Sequence, residues 1–325
     1  MSRYLVTGAT GFLGRHLARS LCDQGHEVLA LARAKSEPLG GVKHVQGDVL
    51  DAAAVESAAK NCAGVFHCAG KVSRDPRDAE SMWQVHVIGT RNVMEASRRA
   101  GVKRVVIAST SGTVALNEKS VVANEESPTP SALISRFPYY RSKLYGEQEA
   151  LSHNRDGLEV VSVNPSLLLG PGDVYGSSTG DIRLFLDRAV PAVPQGGLSY
   201  VDARDAADAL IRAMDRGKPG RRYLVGASNL TMREFFGRLE RVSGVVAPRL
   251  PMPKSARVAR AGAAFLGRVV AMAGGELPAD PVSVEMAQLF WYLDASRAER
   301  ELGWTPRDPI DTLADTVADL RGAAN

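Results

Sequence analysis

Tyr139 and Lys143 stand four residues apart in the run Tyr139-Tyr140-Arg141-Ser142-Lys143. On a helix that spacing puts a phenol and an ammonium on one face. The cation favours phenolate and lowers the phenol's pKa toward a range useful for proton transfer. A second pattern, Thr7-Gly8-Ala9-Thr10-Gly11-Phe12-Leu13-Gly14, follows an apolar run and opens a helical one. Its glycines allow a tight turn, close backbone approach to a pyrophosphate and tight helix packing, and the helix N-terminus offers free amides. A third group, Ser109-Thr110-Ser111, ends the run Val106-Ile107-Ala108 and supplies hydroxyls able to hydrogen-bond a reacting oxygen.

These residues must be positioned by the elements around them. Strand candidates are Tyr4–Thr7, Glu27–Ala32, Val42–Gln46, Gly64–Cys68, Lys103–Ser109 and Leu158–Asn164, several of them continuous Val/Ile/Leu runs. Helical patterns alternate with them, among them Glu80–Arg99 with Met82, Val85, Ile88 and Val93 near one face. Alternation of this kind predicts an α/β Rossmann-type, doubly wound parallel sheet covered on both faces. Beyond about Pro171, Pro and Gly punctuate the chain to Gly197, and helices follow over Ala203–Arg216, Thr231–Val242, Ser255–Met272 and Thr312–Arg321. Thr231 with Glu234 predicts a capping box. We therefore expect a dinucleotide-binding domain over 1–170 and a smaller, mostly helical substrate lobe over 171–325. Segments such as Tyr223–Val225 are expected to return to the main sheet.

The 325 residues are 45% apolar and 23% charged, an ordinary globular balance rather than a disordered one. No apolar run approaches the roughly 18 residues of a membrane span. The first residues enter a strand at once, so no signal peptide is expected. Cys22, Cys62 and Cys68 are scattered and lack metal-ligand spacing, which suits reduced thiols, a cytoplasmic setting and no metal. The net charge of +4 comes from dispersed Arg and does not argue for nucleic acid.

The Gly-x-x-Gly-x-x-Gly spacing, the Tyr139/Lys143 pair between the fifth and sixth strands, and the loop Ser109-Thr110-Ser111-Gly112-Thr113-Val114 together resemble the extended short-chain dehydrogenase/reductases over nearly the whole chain. The resemblance is nearest to their dihydroflavonol reductase and 3β-hydroxysteroid dehydrogenase branch. It implies a small-molecule substrate, a nicotinamide cofactor and a homodimer. It makes Tyr139 and Lys143 catalytic, both also touching cofactor. Counted outward from the strand, Thr110 takes the family's catalytic hydroxyl place; counted back from Val114, Ser111 does. Gly8, Thr10, Gly11, Phe12 and Leu13 would form the pyrophosphate turn. Asp48 and Val49 resemble the adenine-contacting element, with a helix cap as the plainer role for Asp48. Ala69 and Gly70 match the place where backbone nears the cofactor ribose. Pro165 and Ser166 match the segment beneath the nicotinamide carboxamide. The run His86-Val87-Ile88-Gly89-Thr90 departs from the family's Asn-Val-x-Gly-Thr, putting a relay role there in doubt.

The second strand ends at Ala32-Arg33 with no acid. NAD enzymes place Asp or Glu there, whereas a guanidinium suits a 2′-phosphate, so NADP(H) is expected and NAD(H) is the alternative. The resulting expectation is an oxidoreductase interconverting a ketone or aldehyde and an alcohol. Two other readings stay open. Phe290-Trp291-Tyr292-Leu293-Asp294 and Glu301-Leu302-Gly303-Trp304 are similar to the ending of hopanoid-associated sugar epimerase-like proteins, which points to a nucleotide-sugar epimerase. A non-catalytic dinucleotide sensor is the third. The helix over Ser255–Met272 would line a substrate channel or pack as core.

Overall fold

In the computed structural model, which describes residues 1–33, 40–253 and 281–322, the buried apolar runs form seven parallel strands. They are β1 (Arg3–Thr7), β2 (Glu27–Ala32), β3 (Val42–Gln46), β4 (Gly64–His67), β5 (Arg104–Ala108), β6 (Glu159–Pro165) and β9 (Arg222–Val225). Their order is β3-β2-β1-β4-β5-β6-β9. Alternation with period two decides which face each side chain joins. Tyr4 and Val6 enter one core with Leu17, Leu21 and Leu210, while Leu5 enters the other with Val55, Val93 and Met94. Helices α1 (Phe12–Asp23) and α8 (Ala203–Arg216) thus cover one face. Helices α2 (Ala52–Ala59), α4 (Gly89–Arg99) and α6 (Pro138–Ser152) cover the other. The order reverses between β1 and β4, whose C-terminal ends open the crevice that binds ligands in such sheets.

The remaining strands β7 (Leu167–Leu169), β8 (Gly197–Asp202) and β10 (Ser228–Thr231) make a second, three-stranded sheet in the order β10-β8-β7. The expectation of a mostly helical lobe overlooked it, because these strands are short and lie between Pro/Gly-rich turns. A separate core of Leu169, Ile182, Phe185, Tyr200, Phe235 and Phe236 packs beneath it. Helix α9 (Met232–Ser243) begins with the expected capping box, in which the Thr231 hydroxyl accepts from the Glu234 amide and the Glu234 carboxylate accepts from the Thr231 amide. β9 pairs with β6, so the chain crosses back into the main sheet between β8 and β10 of the small one.

The single helix expected over Glu80–Arg99 is instead α3 (Ala79–Trp83), a π-helical turn (Gln84–Ile88) and then α4. The wider turn shifts the hydrogen-bond register, and the Thr90 hydroxyl satisfies the His86 carbonyl at 2.6 Å. α6 can lie against that carbonyl because residue 146 is glycine; a Cβ there would stand 2.2 Å from the His86 oxygen. The helix expected over Ser255–Met272 lies outside the described residues. Among the described residues no helix is long and apolar enough to cross a membrane.

Candidate active site

The glycine turn sits at the mouth of the β1/β4 crevice. Gly8 has φ +72°, and a Cβ on it would stand 2.6 Å from the backbone of Cys68 and Ala69. A Cβ on Gly14 would stand 2.1 Å from the Gly8 carbonyl oxygen. The turn therefore needs glycine at both places. Gly11 caps α1 without a side-chain acceptor, leaving first-turn amides, Phe12 and Leu13 among them, without partners inside the helix. Thr10, Phe12 and Leu13 line the same crevice. An electropositive cradle of amides with no side chain in the way fits a pyrophosphate.

Two buried histidines, His67 and His86, hold the crevice floor. The Thr7 hydroxyl donates to Nδ1 of His67 at 2.7 Å, and Nε2 of His67 donates to the Thr90 hydroxyl at 2.9 Å. The Lys71 amide donates to Nε2 of His86 at 3.0 Å, so Nδ1 carries the proton and donates to the Ser142 hydroxyl at 2.8 Å. The Ser142 hydroxyl in turn donates to the Tyr139 carbonyl at 2.8 Å. Burial holds both rings neutral, His67 down to about 3 and His86 down to about 2. In place of the family's Asn, His86 thus joins the loop after β4 to the helix that carries Tyr139.

Tyr139 and Lys143 project from α6 into a cavity of about 1060 Å³, which also reaches the glycine turn, Arg33, Asp48, Val49, Ala69, Gly70, Thr110, Pro165 and Ser166. Every expected site residue is thus brought to one cavity. Arg33 is exposed just beyond β2. One oxygen of Asp48 accepts from the Leu50 amide at 2.9 Å, while the cap of α2 is Asp51. Ala69 donates its amide to the Thr7 hydroxyl at 3.3 Å. Ser166 is buried and its hydroxyl has no partner. Thr110 is half-buried and its hydroxyl accepts from the Gly112 amide at 3.3 Å. Ser111 is 4% exposed and lines the same wall.

The expected lowering of the Tyr139 pKa by Lys143 needs correction. Burial, and then the neighbouring Tyr140, push the phenol above its ordinary value. The Lys143 ammonium donates instead to the Ala108 carbonyl, and burial brings it down to about 8.

Several residues escaped the sequence reading. Glu147, one turn beyond Lys143, is a buried carboxylate that accepts from Ser109, Thr113 and Asn164. Its position on the Tyr139/Lys143 face was the available signal. The Tyr140 ring lies 4.8 Å from Trp291, and a Cβ on Gly112 would stand 2.3 Å from Tyr140. With Phe137, Met286 and Leu289 they wall the cavity beyond Tyr139. Ser199, buried on β8 with an unpartnered hydroxyl, also lines it. These come from segments remote in sequence, and only the fold joins them.

The model of the NAD-dependent epimerase/dehydratase family matches residues 4–226. The chain belongs to that family. Among the family's relatives, it is 34% identical to a putative dihydroflavonol 4-reductase of Synechocystis sp., with 97% of this chain and 93% of that one covered. It is 33% identical to sterol demethylase protein B of Methylococcus capsulatus, with 98% of each covered. The crystal structure of a nucleoside-diphosphate-sugar epimerase from Pseudomonas aeruginosa superposes with TM-score 0.78 at 27% identity, covering 99% of this chain and 98% of that one. The chain is thus an NAD(P)-dependent enzyme of the extended short-chain dehydrogenase/reductase family.

Proposed function

We propose that this protein is an NADP(H)-dependent reductase of an apolar ketone or aldehyde, running also in the reverse direction. The observation that carries the reading is the shared cavity, which Tyr139, the glycine turn and Ser166 all line. A nicotinamide bound in that cavity would supply or accept the hydride. Tyr139 gives its proton to the carbonyl oxygen, and Thr110 donates a hydrogen bond to that oxygen as charge builds on it. Lys143, on the same helix face, lines the cavity with its ammonium held by the Ala108 carbonyl. Phe137, Tyr140, Met286, Leu289 and Trp291 supply an apolar wall suited to a hydrophobic substrate body. Arg33 favours the 2′-phosphate, and the name of the Synechocystis relative supports a reductase.

The likeness to the Pseudomonas sugar epimerase supports a second reading, epimerisation of a sugar nucleotide with tightly held NAD. One experiment separates the two. Purified protein is assayed for bound dinucleotide, then for NADPH oxidation against ketones, sterols and sugar nucleotides. Exchangeable NADPH consumed stoichiometrically with an apolar ketone is expected. Co-purified NAD with sugar epimerisation and no net NADPH consumption would overturn the reductase reading.

A further inference from the structure

Glu147 is 1% exposed, and a buried carboxylate is costly to desolvate unless hydrogen bonds replace water. Here Oε2 accepts from the Ser109 hydroxyl at 2.5 Å, the Asn164 amide nitrogen at 2.6 Å and the Thr113 hydroxyl at 3.1 Å. Oε1 faces Nε of Arg222 at 2.9 Å. Its partners come from the end of β5, the turn after it, β6 and β9. The Asn164 amide nitrogen also holds the Thr110 carbonyl at 3.1 Å, and the single proton of the Thr113 hydroxyl is shared between that carbonyl, at 3.0 Å, and Glu147. The carboxylate therefore anchors the loop that presents Thr110.

Glu147 also neighbours Lys143, four residues earlier on the same helix face. Both line a small cavity of about 10 Å³ whose walls include His67, His86 and Ser109. The titratable groups around Lys143 are Tyr139 on its own helix, His67 and Cys68 from the end of β4, His86 from the π turn, and Glu147. Burial keeps the imidazoles neutral and pushes the Cys68 thiol up to about 12. The carboxylate among these groups is Glu147, itself paired with Arg222 from β9.

We propose that Glu147 is a positioning residue for the Tyr139/Lys143 pair, fixing the Thr110 loop and supplying the counter-charge that keeps Lys143 an ammonium. This rests on the reductase reading for the role of the pair, but its electrostatic half does not. Burial draws the Lys143 ammonium down, and Cys68 and then the Glu147 carboxylate oppose that shift. Removal of the carboxylate charge therefore makes Lys143 lose its proton at lower pH.

The test follows the ¹³Cε resonance of Lys143 against pH in lysine-labelled full-length protein, assigned with Lys143→Arg. In Glu147→Gln, which keeps the shape and an oxygen acceptor, the Lys143 midpoint should fall by about one pH unit, roughly tenfold in proton affinity. Glu147→Asp should restore much of it. NADPH affinity in Glu147→Gln should weaken more at pH 8 than at pH 6, a difference that a purely structural loss does not produce. An unchanged midpoint in a Glu147→Gln protein that melts like wild type overturns the proposal. If that variant does not fold, Arg222→Gln takes its place: freeing Glu147 from its cation should raise the Lys143 midpoint, and no rise overturns the proposal. The resonance needs neither substrate nor cofactor. Failure to reduce any ketone would therefore sink the reductase reading without deciding this one.

Discussion

The Lys143 ammonium donates to the carbonyl oxygen of Ala108 at 2.6 Å, which ties the middle of α6 to the last residue of β5. Two residues further along, Thr110 enters the cavity, so the strand that ends under Lys143 also aims the neighbouring hydroxyl. Tyr139, Lys143 and Thr110 are therefore linked through this helix–strand contact, which the Glu147 hydrogen bonds reinforce.

Tyr139→Phe removes the transferable proton and little else. kcat should fall below about a tenth of the wild-type value while NADPH binds almost as before. A variant that keeps more activity than that takes Tyr139 out of the acid/base role. Lys143 adds a pH signature. With a folded value of about 8, the ammonium is present below that pH and lost above it. Wild-type NADPH affinity should therefore weaken as pH rises through 8, and in Lys143→Ala it should be weak and flat across the same range.

Thr110 and Ser111 are separated by paired substitutions. Thr110→Ala should lower kcat by roughly ten- to a thousand-fold, the scale of losing one transition-state donor. Ser111→Ala should change it little. The opposite ranking would make Ser111 the catalytic hydroxyl and Thr110 a cap for the turn that follows.

His67 and His86 make the fold acid-sensitive. Their folded values of about 3 and about 2 lie below the unfolded value near 6.5. Between those limits the unfolded chain takes up protons that the folded chain refuses, so stability drops as pH falls below about 6.5. Each ring should cost about 2 kcal/mol at pH 5 relative to neutral pH. Urea unfolding at the two pH values measures the sum, and His86→Asn should remove about half of the pH dependence. A His86→Asn protein with the full wild-type acid sensitivity would show that His86 already carries a proton in the folded state.

Arg33 bears on cofactor choice. If its guanidinium grips a 2′-phosphate, Arg33→Ala should weaken NADPH by about 2–3 kcal/mol and leave NADH nearly unchanged. High salt should shrink the wild-type preference, since Arg33 is exposed and screened. Equal losses for both cofactors would make Arg33 a general structural residue, and a wild-type preference for NADH would favour the epimerase reading.

The glycine turn and the Tyr139/Lys143 pair were legible in the sequence because both are local. Backbone sterics dictate Gly8 and Gly14, and one helical turn joins Tyr139 to Lys143. Five of the six strands of the first half were legible as largely buried runs, whereas β3, at the sheet edge, has no buried residue. What stayed hidden depends on contacts between distant segments. Trp291 meets Tyr140 across half the chain, and Glu147 finds Arg222 only once β9 has paired with β6. The π turn at His86 was hidden for another reason: a one-residue change of register leaves the apolar spacing of Glu80–Arg99 almost intact.

The return of β9 to the main sheet also bears on how the chain is made. Until Arg222–Val225 emerges from the ribosome, β6 is an outer strand rich in valine, with its amides and carbonyls unpaired on one side. Such an edge is a template for association with other chains, and a strand pair so far apart in sequence forms slowly. α8, which covers β5 and β6, is also translated after the small sheet begins. A fragment ending near Gly170 would therefore expose both an unpaired edge and an uncovered sheet face. Residues 1–170 thus gain their seventh strand and the cover of α8 only when the later part of the chain has been synthesised.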